Sequence, residues 1–223
     1  MSIRTDMAAE SFSQAGGAEK LQGVKVKNKV IENARLEVTD ITIETQEAAE
    51  KLGRPVGRYI TLTATDSTFD MYSDSFRERA EVIAKAIGEL CGGCERFLAV
   101  GLGNYALTSD AVGPLTAEKI FATRHIKSLA KEIDTDDLGE VTVIQPGVLG
   151  NTGIESSEQV KAIAERVRPQ AVIAVDALAC SELSNLGRTI QLCDTGISPG
   201  SGVENARKEL SLSTLGVKCI AIG

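Results

Sequence analysis

The chain has 223 residues, of which 43% are hydrophobic and 25% are charged, and its formal net charge is −7. This composition is typical of a globular protein with one substantial core. The acidic charge and an aromatic content of only 4% argue against nucleic-acid binding, which uses basic surfaces and stacking platforms. No apolar run is long enough to span a bilayer, and the N-terminus lacks the apolar core of a secretory signal. We therefore expect a cytoplasmic protein without membrane contact.

The N-terminal third of the chain divides into a leader and a group of strands. Residues 1–20 are small, polar and glycine-rich, which predicts a mobile leader. Residues 24–63 alternate apolar and polar side chains at period two, which predicts strands with a short helix, "QEAAEKLG", before the last of them. We expect these strands to form an antiparallel edge or a small subdomain.

From about residue 75 onward, amphipathic helices alternate with short, continuously apolar runs. These runs are "RFLAV", "VTVI", "AVIAV" and "CIAI". Such runs are typical of parallel strands that are buried on both faces by helices. The fold class we predict is α/β, an open, mostly parallel twisted sheet with helices on both faces and N-terminal antiparallel strands.

Three helices are predicted in this part of the chain. Pro114 favours a first helical turn, and a continuous helix is expected through "LTAEKIFATRHIKSLAKEI". A second helix is predicted to open with Thr152 and Glu155 as a capping box and to stop at Pro169. The segment "NARKELSLSTLG" predicts a last, weaker helix that ends at Gly216.

Residues just beyond the apolar runs are candidates for a binding cleft, because open parallel sheets bind ligands beyond the carboxyl ends of their strands. The strand "RTIQLC" is expected to deliver its following loop to the same edge. In chain order, the candidates are Gly101, Gly103, Asn104 and Asp110; Gly147, Gly150 and Gly153; Asp176; and Gly200 and Gly202.

Other kinds of site fit the sequence less well. "GLGNYA" matches a dinucleotide-binding pattern, but the next strand ends in Gln145, where that motif requires an acid. The "CGGC" pair, Cys91 and Cys94, closes a helix, whereas a redox pair opens one, and we expect reduced thiols. His125 is the only histidine, so a nucleophile triad has few candidates, and a helix-face role is favoured for it.

Asp110 and Asp176 together suggest a pair of carboxylates. If their strands are neighbours, the two acids meet, and two nearby carboxylates cannot both ionise cheaply. One can then activate water while the protonated one donates a hydrogen bond to a peptide carbonyl. A competing interpretation makes Asp110 a helix N-cap. Burial of Asp176 at a strand end would be costly without a partner.

Motifs spread over nearly the whole chain carry a family resemblance. The sequence resembles the germination protease (spore protease) family, which degrades small acid-soluble spore proteins during germination and is related in fold to hydrogenase-maturation peptidases. The matching stretches include "IRTDMAAE", "VGLGNYALTSDAVGP", "PGVLGNTGIES", "AVDALA" and "TGISPGSGVENARKELS".

The resemblance implies roles for particular residues. The family's two essential aspartates fall on Asp110 and Asp176. Members are zymogens that cut their own leader, and the matching motif places that cut between Glu10 and Ser11. Residues 1–10 would then be the leader and residues 11–223 a single peptidase domain, which would lack the C-terminal part that family members carry beyond "IAIG".

The resemblance also implies partners and surroundings. It implies small acid-soluble spore proteins as substrates, a homotetramer, no cofactor, and a location in the cytoplasm of the developing spore and the spore core. Asp110 and Asp176 would form a catalytic pair, or dyad, that must carry a proton to act. Acidification during spore formation would favour this protonated state. Two alternatives stay open: a metal-dependent peptidase that uses the same aspartates as ligands, and a truncated, inactive homologue that only binds.

Overall fold

The computed structural model describes residues 5–17, 22–66, 68–129, 135, 138–198 and 209–223. The chain forms two compact units. The first comprises Met1–Leu90 with Leu178–Thr195, and the second comprises Cys91–Ala177 with Gly196–Gly223. Within the described ranges, no helix is both long and apolar enough to cross a membrane.

The first unit contains an antiparallel sheet of four strands. Its order is β1 (Val24–Ile31), β2 (Leu36–Ile43), β3 (Gly57–Ala64) and β7 (Thr189–Cys193), and each strand pairs antiparallel with the next. The helices α1 (Ala8–Gln14) and α2 (Gln46–Leu52) and most of α3 (Phe76–Cys91) belong to the same unit.

Local sequence explains most of this unit. Buried side chains of β2 alternate with more exposed ones within two pairs, Leu36 with Val38 and Ile41 with Ile43, and the parity changes between the pairs. Thr45 caps α2 by accepting a hydrogen bond from the amide of Ala48. The predicted strands and the short helix between β2 and β3 are therefore confirmed.

The segment "RTIQLC" forms a strand of the first unit. This segment is β7, and it pairs antiparallel with β3, with Tyr59 opposite Cys193 and Thr63 opposite Thr189. Asp194, the residue after the strand, accepts a hydrogen bond from the amide of Arg58 at 2.8 Å. The short apolar run does not encode its direction, because the pairing partner lies more than a hundred residues away in the chain.

The second unit contains a parallel sheet of four strands, which confirms the α/β class. Its order is β8 (Lys218–Ile222), β6 (Ala171–Val175), β4 (Arg96–Gly101) and β5 (Glu140–Ile144). Leu98, Val172 and Ile220 are fully buried, as expected for strands covered on both faces. The helices are α4 (Val112–Lys119), α5 (Arg124–Leu129), α6 (Leu149–Thr152), α7 (Ser156–Val167) and α8 (Leu212–Leu215).

The long helix expected from Pro114 is interrupted, so His125 does not lie in the middle of it. α4 ends at Lys119 and α5 begins at Arg124. Between them, Thr123 joins the edge of β5: its amide donates to the carbonyl of Val141, and its hydroxyl accepts from the amide of Val141. These hydrogen bonds require extended backbone, so tertiary pairing overrides the helical pattern.

The expected capping box at Thr152 and Glu155 also differs from the structure. Thr152 ends α6, and Glu155 precedes α7 without a side-chain capping bond. The stop before Pro169 is confirmed, because α7 ends at Val167, and Gly216 ends α8 as predicted. The predicted start of this last helix is wrong over the described residues, because α8 begins only at Leu212 and Leu210 forms an antiparallel bridge with Ile197.

Close backbone packing joins α4 to the ends of β4 and β6. A Cβ atom added at Gly113 would lie 2.1 Å from the carbonyl oxygen of Leu102 and 2.4 Å from that of Val175. A Cβ atom at Gly101 would lie 2.3 Å from the carbonyl oxygen of Gly113. The start of α4 therefore lies directly against the backbone of both strand ends.

The substitution Gly113→Ala tests this packing. The new methyl group meets fixed backbone atoms on two strands, so we expect the free energy of unfolding in urea to fall by about 2–3 kcal/mol. The control is Gly88→Ala on an exposed part of α3, where an added Cβ meets nothing within 4 Å. It should raise stability by about 0.5–1 kcal/mol. Equal effects of the two substitutions would contradict the packing described here.

Candidate active site

The loop after β4 folds around the carboxylate of Asp110. The amide of Asn104 donates to the carbonyl oxygen of Asp110 at 3.0 Å and to its Oδ2 at 2.9 Å. Gly103 permits this closure, because its φ is +112° and an added Cβ atom would lie 2.2 Å from the Asp110 carbonyl oxygen. The loop thus holds Asp110 in one orientation.

Asp110 is not the cap of the following helix. It ends a 3-10 turn, Thr108–Asp110, and the N-cap of α4 is Ala111, which makes no side-chain bond. The competing N-cap interpretation is therefore wrong. Asp110 is half-buried, so its carboxylate combines a fixed position with access to solvent.

Asp176 follows β6 directly and is only 6% exposed. Its amide donates to the carbonyl oxygen of Ile222 at 3.0 Å, and its Oδ1 accepts from the amide of Ala177 at 2.9 Å. The parallel ladder with β8 therefore continues into this residue. A buried carboxylate in such a position is held firmly at the end of the strand.

The pairing of β4 with β6 brings the two acidic segments to one edge of the sheet. Gly101 lies opposite Val175, and the amide of Leu102 donates to the carbonyl oxygen of Val175 at 2.8 Å. Asp176 is the next residue after Val175, and the loop that holds Asp110 begins at Leu102. The two aspartates therefore follow adjacent parallel strands at their carboxyl ends.

The other predicted cleft residues fall into two groups. Gly147, Gly150 and Gly153 follow β5, the neighbour of β4, at the same edge of the sheet. Ser156 donates its hydroxyl to the carbonyl oxygen of Gly147 at 2.8 Å, which closes this loop. Gly200 and Gly202 lie outside the described residues.

The ligands available to a metal ion are few in this part of the molecule. Among the residues that the structure describes, no three His, Cys, Asp or Glu side chains lie close enough together to hold one.

Cys91 and Cys94 are free thiols, and burial raises the pKa of Cys91, which disfavours the reactive thiolate.

The leader is ordered over the described residues 5–17, so the prediction of a mobile leader was wrong there. Met7 and Ala8 are 4% and 3% exposed. The amide group of Gln191 bridges two points of the leader backbone: its Oε1 accepts from the amide of Ala8 at 2.6 Å, and its Nε2 donates to the carbonyl oxygen of Asp6 at 3.1 Å. Arg54 also donates to the carbonyl oxygen of Thr5.

The side chain of Glu10 is buried and held by several hydrogen bonds. It is 5% exposed, and its carboxylate accepts hydrogen bonds from Ser181, Glu182 and Asn185. Burial alone would raise its pKa, but hydrogen bonds from Ser181, Thr5 and Asn185 outweigh burial and lower the pKa of Glu10 to about 2. The carboxylate is therefore ionised across the neutral and mildly acidic range.

The bond expected to be cut, between Glu10 and Ser11, lies inside α1. The amide of Ser11 donates to the carbonyl oxygen of Met7 at 3.1 Å, as in a regular helical turn. The leader motif indicates Glu10, but nothing in the sequence indicates its partners, Ser181 and Asn185. No pattern in "SELSN" distinguishes a carboxylate-binding loop from an ordinary turn.

Comparisons with known proteins identify the class of this protein. The family model described as Germination protease matches residues 3–223. Germination proteases of Clostridium perfringens (strain ATCC 13124) and Clostridium tetani are 38% and 39% identical to the chain over 226 and 229 residues. These alignments cover 99% and 100% of the chain and 69% of each relative. A [NiFe] hydrogenase maturation protease, HycI from Thermococcus kodakarensis, is 20% identical with a TM-score of 0.36, over 62% of this chain and 78% of its own.

The α/β fold and the family match together define a peptidase. The chain belongs to the germination protease family, which confirms the resemblance identified from its motifs.

The substitution Glu10→Gln tests the anchoring of the leader. We expect a loss of about 1–3 kcal/mol in the free energy of unfolding at pH 7, because charge-assisted hydrogen bonds disappear. Since the folded-state pKa is about 2, the stabilisation is fully present above the unfolded pKa of about 4.5 and is lost as the pH falls towards 2. The difference from the unsubstituted chain should therefore shrink between pH 5 and pH 2.

A matched control is Glu50→Gln on an exposed part of α2. Its effect in the same urea unfolding series should stay within about 0.5 kcal/mol at every pH. A Glu10→Gln effect as small as that of the control would mean that Glu10 does not anchor the leader.

Proposed function

We propose that the chain is an endopeptidase zymogen in which Asp110 and Asp176 share a proton and activate water. Its substrates are small acid-soluble spore proteins, cut after an acidic residue, and its place of action is the cytoplasm of the developing spore and the spore core. A homotetramer is part of the same proposal. The observation that carries it is the position of the two acids, which follow adjacent parallel strands at one edge of the sheet.

The chemistry follows from two carboxyl groups that hold one proton. The ionised carboxylate removes a proton from a water molecule, whose oxygen attacks the carbonyl carbon of the scissile peptide bond. The protonated carboxyl donates a hydrogen bond to the carbonyl oxygen, where negative charge develops. The proton taken from water then passes to the leaving amine, and the carbon–nitrogen bond breaks. Each cycle thus restores the shared proton.

The folded leader suggests why the zymogen is stable before processing. The Glu10–Ser11 bond lies in a helix, and its acidic side chain is buried. Cleavage therefore requires α1 to open locally and the Glu10 carboxylate to leave its donors. Residues 1–10 are the proposed leader, and removal at Glu10 separates them from residues 11–223.

Mild acid would promote removal of the leader by protonating the Asp110–Asp176 dyad and not by protonating Glu10. Glu10 stays ionised until the pH approaches 2, so its anchoring hydrogen bonds persist at the pH of a mildly acidified cell. A dyad that must carry one proton gains that proton as the pH falls. Mass spectrometry of the purified full chain should show leader removal accelerating between pH 8 and pH 5.5. A rate that does not depend on pH would contradict this assignment.

The substitutions Asp110→Asn and Asp176→Asn test the dyad. Each removes a carboxyl group that the reaction requires, so leader removal and peptide cleavage should fall by at least about 1,000-fold. The control is Glu118→Gln, an exposed acid on α4, which should leave both rates within twofold. Full cleavage by both aspartate variants would contradict the proposal and favour a homologue that only binds.

Chelation separates the dyad from its metal-dependent alternative. Incubation of the purified chain with excess EDTA, followed by dialysis, should leave the rate of peptide cleavage unchanged, because water is activated by carboxylates alone in the proposed reaction. Loss of cleavage that is restored by one divalent metal would replace the dyad with a metal-dependent peptidase.

A further inference from the structure

A cavity of about 260 Å³ lies between α3 and one face of the antiparallel sheet, within the first unit. Residues directly opposite each other on paired strands share a face of the sheet. Lys29 lies opposite Val38, and Val38 lies opposite Leu62, so this face runs across β1, β2 and β3. The aliphatic side chains that line the cavity are Ile31, Val38, Ile60, Leu62, Val82 and Ala86.

Two hydrogen-bonded contacts attach α3 to the rest of the unit, one on each side of the helix residues that line the cavity. Arg79 Nε donates to the carbonyl oxygen of Ala34 at 3.1 Å, and Glu89 accepts from Arg58 Nη2 at 2.9 Å. Arg79 and Glu89 are about 15 Å apart along the helix. The gap between the helix and the sheet is therefore bounded by fixed contacts and is part of the folded structure.

The sheet side of the cavity is apolar and recessed. Val38, Ile60 and Leu62 are buried, although they line the cavity. A hydrocarbon group that enters would remove their surface from water, which is favourable. Because these side chains do not reach the outer surface, a flat membrane could not contact them, whereas a single small molecule could.

The charged groups of the same cavity carry an excess of positive charge. Arg58 donates to Asp40 at 3.0 Å and 2.7 Å and to Glu89 at 2.9 Å, so one guanidinium serves both carboxylates. Four cations against two carboxylates leave an excess of two positive charges. The cations without an ion pair among the described residues are three exposed lysines, Lys27, Lys29 and Lys85.

Protection of a sheet edge explains only part of this charge. Among the described strands, β1 lies at the edge of the sheet, where lysines commonly prevent pairing with another chain. That role accounts for Lys27 and Lys29 but not for Lys85, which lies on α3 and lines the same cavity. The chain as a whole carries a net charge of −7 and repels anions. A cluster of lysines beside an apolar cavity is therefore a local feature that favours an anion with a hydrocarbon part.

We propose that this cavity binds a small aliphatic monocarboxylate, with its hydrocarbon chain against Val38, Ile60 and Leu62 and its carboxylate among the lysines. A dianionic head group, such as a phosphate monoester, fits less well because Asp40 and Glu89 lie in the same cavity. The volume is just below the range of about 300–1,000 Å³ of pockets for drug-sized ligands, which favours a chain of medium length. This inference does not depend on the proposed peptidase function.

Isothermal titration calorimetry of the full chain with sodium octanoate at pH 7 tests the site. We expect saturable binding of one octanoate per chain with a Kd of about 0.1–1 mM, an ordinary affinity for a ligand of this size. Octanamide has the same hydrocarbon chain without the charge and should bind at least about tenfold more weakly. Sodium acetate has the charge without the chain and should give no measurable binding. Equal affinity for octanoate and octanamide would overturn the proposal.

Substitutions of exposed lysines locate the bound carboxylate. The double substitution Lys27→Gln and Lys85→Gln should weaken octanoate binding by about tenfold, because it removes two of the attracting charges. The matched control is Lys51→Gln with Lys161→Gln, which removes the same charge at exposed positions outside the cavity and should leave the Kd within twofold. Equal weakening in the two double variants would show a general charge effect and overturn the site.

The substitution Ala86→Leu tests the apolar part of the cavity. It adds three carbon atoms to a side chain that lines the cavity, so octanoate binding should be lost. Calorimetric melting checks that this variant folds. Unchanged octanoate binding by folded Ala86→Leu would place the ligand elsewhere and overturn the proposal. If Ala86→Leu does not fold, the lysine variants, which change only exposed side chains, decide the outcome.

Discussion

The parallel pairing of β4 with β6 is the constraint on which the candidate site depends. Gly101 lies opposite Val175, and Leu102 extends the ladder by one further hydrogen bond to the Val175 carbonyl oxygen. Gly113 then brings the start of α4 into backbone contact with both strand ends. Because the loop with Asp110 leaves one strand and Asp176 ends the other, both acids reach the same edge without any long or mobile connection.

The leader shows how hydrogen bonds can hold a buried charge in a fixed position. A buried carboxylate is costly unless hydrogen bonds compensate for its lost water, and here Ser181, Glu182 and Asn185 provide that compensation. The compensation lowers the pKa of Glu10 to about 2, so mild acid does not release it. In the proposed mechanism, the pH response of leader removal comes instead from the proton that Asp110 and Asp176 share.

Much of the fold follows from sequence patterns that reflect burial. Continuous apolar runs indicated β4, β5, β6 and β8 because both faces of a parallel sheet are covered, and the residues after them indicated Asp110 and Asp176. The interruption at Thr123, the antiparallel pairing of β7 and the order of the leader were not predictable in this way. Each depends on hydrogen bonds between residues far apart in the chain, such as Thr123 with Val141 and Glu10 with Asn185. The local periodicity of a sequence does not indicate hydrogen-bond partners that lie far away in the chain.

The central claim is that Asp110 and Asp176 share one proton. Carbon-13 NMR of the aspartate carboxyl groups in the full chain, titrated from pH 3 to pH 9 and assigned with single Asn variants, tests it most directly. The account predicts that one carboxyl stays protonated well above the usual range of an aspartate, and that replacing its partner returns its pKa to that range. Two independent titrations near pH 4, each unchanged when the other aspartate is replaced, would contradict it.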